Sequence, residues 1–180
     1  MLKECYKIEV ESRGFEFKDN KEISEYLDST AKWLVGNHKV GLIIYGTVGN
    51  GKTTLIRAVR SLINVIYDSA YSNERKGLVT VSALELANIA KEENGRFNSL
   101  KNAELLAIDD VGIEPSTIKV WGNELSPLVD MIYYRYDRQL FTLMTSNLNM
   151  DVLEEKYGER IADRFKEMFD RLAFTNRSYR

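Results

Sequence analysis

The stretch "YGTVGNGKTTL" (45–55) gathers three glycines, one lysine and three threonines into eleven residues. Gly46, Gly51, Lys52 and Thr53 stand at the spacing G-x-x-x-x-G-K-[ST], and each position has a physical purpose. Gly46, Gly49 and Gly51 carry no Cβ, so the backbone can take positive φ and turn its N–H groups toward a phosphate at the positive end of a following helix. Lys52 is then placed to reach β and γ phosphates and Thr53 to set its hydroxyl on Mg²⁺, while Asn50 and Thr54 complete the candidate nucleotide-binding set. The plain alternative is a glycine-rich turn ahead of an ordinary helix. The apolar run before the loop and the helical stripe after it argue against that reading.

Two further stretches supply oxygen and amide groups. In "LLAIDDVG" (105–112), four apolar residues push Asp109 to the carboxyl end of a buried strand, the edge where α/β sheets hold their ligands. Asp109 is the candidate Mg²⁺ ligand, through water, and Asp110 the candidate general base for a water that attacks the γ phosphate. "TLMTSN" (142–147) brings Thr145, Ser146 and Asn147 to the same edge. Asn147 is placed to hydrogen-bond the γ phosphate or the attacking water; the alternative is a strand running into a polar turn. In the tail, Arg160 and Arg164 are four residues apart on one helical face, a like-charge pair that calls for an anion opposite. That anion is either local, with Arg160 paired to Asp163 and Arg164 to Glu167, or the γ phosphate of a neighbouring subunit, met by an arginine finger in trans.

Strands and helices must deliver these groups to one place, and the apolar pattern provides them in alternation. Ile23, Tyr26, Leu27, Thr30, Ala31 and Leu34 recur at helical spacing, with Asp19 and Glu22 as a capping box and Gly36 as the stop. "GLIIY" (41–45) reads as a buried strand, and Leu55, Ile56, Val59, Leu62, Ile63 and Ile66 mark a long helix after it. "LVTVS" (78–82) is a strand, "ALELANIAKEEN" a helix stopped at Gly95, and "ELLAID" (104–109) another strand. Leu125, Leu128, Val129, Ile132 and Tyr136 form a helical stripe with Pro127 in its first turn, followed by a strand at 140–145, a charged helix at about 159–169 and a strand-like "LAFT". Such alternation predicts a parallel sheet covered on both faces, a three-layer α/β fold.

Taken in order, the glycine-rich loop, "LLAIDD", "TSN" and "YGERIADR…SYR" resemble the AAA+ ATPases of the DnaC and DnaI helicase-loader type and their IstB-like transposition relatives. The resemblance covers roughly residues 15–180. It implies a P-loop NTPase fold of AAA+ type with a minimal or absent lid, ATP and Mg²⁺ as cofactors, self-association through shared ATP sites, and a replicative helicase or a transposase as partner. By the resemblance Asn147 matches sensor 1, Arg164 the finger with Arg160 beside it, and Arg180 the sensor 2 arginine. Members of this clade often carry Asp-Asp where most AAA+ proteins have Asp-Glu, and the shorter arm of Asp110 implies slow hydrolysis. Lys91, Arg96 and Lys101 flank a stretch that approaches single-stranded DNA in this family.

Composition narrows the rest. At 180 residues and 44% hydrophobic the chain is expected to form one domain (1–180), with an N-terminal extension and first helix at 1–38, the P-loop core at 39–150 and the finger helix and tail at 151–180. A net charge of −2 gives no global pull toward polyanions. A single cysteine, Cys5, precludes an internal disulfide, and with no signal-like or membrane-spanning run the expected location is cytoplasmic. His38, the only histidine, reads as a surface loop residue and rules out histidine triads. Trp33 and Trp121 read as packing or interface residues, and "YYRYDR" (133–138) as packing in preference to a single-strand-binding surface. Two readings from other classes stay open: a small-molecule or nucleotide kinase that shares the P-loop, and an adaptor that holds ATP without turning it over.

Overall fold

A computed structural model describes residues 1–36, 38–68, 76–92 and 95–176. Its centre is the apolar strand β1 (Gly41–Gly46), which pairs in parallel on both sides, with β6 (Phe141–Ser146) and with β7 (Phe169–Phe174). Strand β3 (Leu105–Val111) lies beyond β6 and β2 (Val79–Ser82) beyond β3, so the five-stranded parallel order is β2-β3-β6-β1-β7. Alternate residues of each strand face opposite layers, as the pleat demands. Leu42, Ile44, Ala107 and Leu143 pack on one face with α1 (Leu2–Glu11), α2 (Lys21–Val35) and α3 (Lys52–Ile66). Ile43, Leu106, Ile108 and Met144 pack on the other with α4 (Ala83–Ile89), α6 (Pro127–Asp137) and α8 (Glu159–Met168). This is the expected three-layer α/β arrangement. No described helix is long and apolar enough to cross a membrane.

Several elements depart from the sequence reading. The N-terminal helix α1 has no counterpart in it: only Leu2 and Tyr6 are buried, too thin a stripe to stand out. Helix α2 begins one residue after Asn20, whose side chain accepts from the Ile23 N–H; Asp19 instead accepts from Lys3 and Ser24. The single helix expected up to Gly95 is two: α4 ends at Ile89, and Gly95 is the N-cap of α5 (Arg96–Asn102). A short hairpin, β4 (Ile118–Val120) with β5 (Asn123–Leu125), and helix α7 (Met150–Tyr157) were also not expected. Strand β7 starts three residues before "LAFT", because Phe169 lies fully buried against Phe165 at the end of α8.

Candidate functional site

The loop between β1 and α3 has no room for a side chain at its first glycine. Gly46 has φ 146°, and a Cβ there would stand 2.1 Å from the Phe174 carbonyl oxygen and 3.0 Å from Asn50 Nδ2. Gly49 and Gly51 also take positive φ, 82° and 101°, and Gly51 caps α3. The first intrahelical bond runs from Leu55 N–H to Gly51 C=O, so the N–H groups of Lys52, Thr53 and Thr54 precede it at the positive end of a 15-residue helix. Asn50 is fully buried and braces the loop from the far end of the chain. Its Nδ2 donates to Phe174 C=O at 3.1 Å, and its own carbonyl accepts from Asn176 Nδ2 at 3.2 Å. Lys52 is 5% exposed and donates to Gly46 C=O (2.8 Å), Thr47 C=O (2.7 Å) and Asn50 Oδ1 (3.1 Å). Burial holds its pKa below the ordinary lysine value, with Asp110 and Asp109 pulling the other way.

The two acids meet this loop from β3. Thr53 Oγ1 donates to Asp109 Oδ1 at 3.2 Å, and the same oxygen accepts from the Thr145 hydroxyl. Asp110 sits at φ 55°, a left-handed conformation that costs a non-glycine residue on the order of 1 kcal/mol or more. The pairing of β3 with β6 shifts register between Ile108 and Val111, a bulge centred on the acids. Thr145 Oγ1 accepts from Asp110 N–H at 2.9 Å, and Asn147 Nδ2 donates to Asp110 Oδ1 at 3.1 Å. Ser146 Oγ donates to Val111 C=O at 2.6 Å. The fully buried Thr145 therefore ties both acids together, a part that its place in "TSN" hinted at without specifying.

Beyond the acids, α7 clamps the outgoing chain. Lys156 Nζ donates to Gly112 C=O (2.7 Å) and Glu114 C=O (2.6 Å), while the buried Glu114 carboxylate accepts from Gly112 N–H (2.9 Å) and the Tyr157 hydroxyl. Burial and the Glu114 carboxylate push the Tyr157 pKa well up. None of these three residues was singled out in sequence, since their types are ordinary and their partners are distant. A groove of about 560 Å³ opens beside Thr53 and Asp109, lined by Arg57 and Arg60 of α3, Thr80 and Ser82.

The tail arginines are not brought to the loop within this chain. Arg164 donates to Glu167 Oε2 at 2.7 Å and lies over the Tyr136 ring, 4.4 Å from its centre. Arg160 is exposed and makes no ion pair among the described residues; Asp163 faces Lys166 at 3.6 Å instead. Arg180 lies outside the described residues. Of the residues near "YYRYDR", Arg135 is fully buried and Arg138 stacks on Tyr134, 3.7 Å from the ring centre. Lys101 pairs with Asp130, Arg96 with Glu85, and Lys91 donates to Asn88. Trp33 is buried and touches the half-buried His38, whereas Trp121, at the hairpin tip, is 84% exposed and lies outside the core.

No protein-family model and no curated protein matches the sequence. Solved structures are. The DnaC helicase loader superposes with a TM-score of 0.67 at 21% identity, over 88% of this chain and 93% of that one. DnaI superposes with a TM-score of 0.65 at 20% identity, over 97% and 95%. The replication initiator DnaA bound to AMPPCP and single-stranded DNA gives 0.65 at 20% identity, over 89% of this chain; the chain spans about half of that protein's length, 49%. The chain shares the three-layer α/β fold of these proteins.

Proposed function

We propose that this chain, folded as the helicase loaders and the DnaA core are, binds ATP with Mg²⁺ and hydrolyses it slowly to control a partner protein in DNA replication. The observation that supports this best is the meeting of Thr53 and Asp109 at 3.2 Å in front of a glycine loop whose Gly46 admits no side chain. The residues fit the ligand. A phosphate chain needs N–H donors and a cation, which α3 and Lys52 provide, and Mg²⁺ takes oxygen donors, usually one or two from protein. Thr53 and Asp109 would hold the metal, Asp109 through water; the ion would neutralise charge on the β and γ oxygens. Asn50 keeps the loop in shape, and Thr54 presents its N–H to the phosphates. Asp110, fixed by Asn147 at 3.1 Å, orients the water that attacks the γ phosphate. Arg164, with Arg160 beside it, serves a neighbouring copy's site in trans, and Arg180 serves as sensor 2. Single-stranded DNA is the nucleic-acid partner and a replicative helicase the protein partner in this reading.

Phosphate release measured against protein concentration, with and without single-stranded DNA, tests it, with Lys52→Ala as the blank. A steep rise in specific activity with concentration is expected for sites shared between chains. A flat specific activity would point to a self-contained site, and phosphoryl transfer to a small acceptor would replace this reading with a kinase. ATP binding with no release under any condition would leave an adaptor.

A further inference from the structure

We infer that Arg13, in the turn after α1, is a further phosphate ligand of this site, acting in cis on the nucleoside-proximal end of the phosphate chain; the inference rests on the nucleotide reading above. The side chain is held at two points. Its Nε donates to Glu9 C=O at 2.9 Å, at the carbonyl end of α1 where a cation is favoured, and its NH2 group donates to Thr54 Oγ1 at 2.6 Å. Thr54 is 5% exposed and belongs to the first turn of α3. A guanidinium is thus delivered to the positive end of α3, the same turn that carries the Lys52 ammonium. Positive charge at that end of a helix is unfavourable unless an anion lies between. Arg13 is exposed, and among the described residues no carboxylate forms an ion pair with it and its side chain donates to no protein group beyond Glu9 and Thr54, which leaves N–H donors open to an anion from solvent.

Position along the phosphate chain follows from the helix. Thr53 turns its hydroxyl to Asp109, on the metal side, whereas Thr54, about 100° further round the helix, turns its hydroxyl to Arg13. With the γ end held near Thr53 and Asp109, the earlier phosphates would fall on the Thr54 side of that turn, where Arg13 stands. Arg13 therefore meets a group that ATP and ADP share, unlike Asp110 or a finger, which acts on the γ phosphate alone.

Equilibrium binding of ATP and of ADP to the full chain, parent against Arg13→Gln and Arg13→Lys, tests this. Arg13→Gln is expected to weaken both nucleotides by the same factor, roughly 10-fold or more, the scale of one charge-assisted hydrogen bond. Arg13→Lys keeps the charge and is expected to fall between. If Arg13 only pins α1 to α3, Arg13→Gln lowers the melting temperature of the nucleotide-free protein and leaves both affinities unchanged, which overturns the inference; a loss confined to ATP also overturns the placement. A parent that binds neither nucleotide ends the nucleotide reading itself, so the two failures are distinguishable.

Discussion

Lys52 keeps its ammonium in a nearly closed pocket where three oxygens of its own loop are its hydrogen-bond partners. In the proposed function it is the cation of the β and γ phosphates, so Lys52→Ala should raise the dissociation constant for ATP by roughly 100-fold or more, the scale of two charge-assisted contacts. Titration with a fluorescent nucleotide checks this, and parent-like affinity would remove the P-loop assignment. Asp110→Asn should behave differently: the metal keeps Asp109, so ATP binding stays near that of the parent while phosphate release falls by roughly 10² or more. Loss of binding in that variant would mean that the two acids exchange roles. The groups that a sequence can announce are those whose spacing is set by one local turn, as in Gly46 to Thr53, or by one strand ending, as in Asp109 and Asp110. Thr145 was legible as an edge residue but not as the tie to Asp109, 36 residues away, and Glu114 and Arg13 were silent because their partners lie 43 and 41 residues away, a distance that no residue type encodes.

One buried side chain of helix α6 bonds to two neighbouring elements at once. Arg135 donates through Nε to Thr142 Oγ1 (2.9 Å), through NH1 to the carbonyls of Leu100, Lys101 and Ala103 at the end of α5, and through NH2 to Phe141 C=O (2.6 Å) at the start of β6. Burial lowers its pKa to about 10, still far above neutrality. Arg135→Met keeps the length and removes the donors, leaving buried carbonyls unsatisfied, and should cost about 3 kcal/mol or more. Urea unfolding monitored by circular dichroism checks it; a loss below about 1 kcal/mol would show that water replaces the guanidinium. The same scale explains what was legible. Strands β1, β3 and β6 were readable because strands buried on both faces are continuous apolar runs. The β4–β5 hairpin was not, since its three-residue strands turn through Trp121 and Gly122, with Trp121 at φ 51°, a conformation its residue type does not advertise. The break between α4 and α5 was missed because glycine was read as a stop, and here it opens a helix.

Across the whole molecule, no described contact brings Arg164 to Lys52 or to either acid, so its proposed role belongs to an assembly of two chains. Arg164→Ala should leave ATP affinity near that of the parent and lower hydrolysis by roughly 10³ or more, as for a finger acting in the transition state. The contact with Glu167 is a solvent-screened surface ion pair and by itself contributes little. Mixing Lys52→Ala with Arg164→Ala should restore activity, because the first chain lends its arginine to the second chain's intact loop; a mixture that stays dead while the parent turns over would return Arg164 to local pairing. The layer order of the fold was readable from alternation alone, but the joining of loop and tail was not. That joining has a consequence for how the protein is made. Asn50 is held by Asn176, 126 residues later. A ribosome adding about 5–20 residues per second therefore releases the lysine well before the brace that shapes its loop. A growing polypeptide carries the motif for many seconds without this brace, so in the proposed function nucleotide capture is expected to follow the synthesis of Asn176.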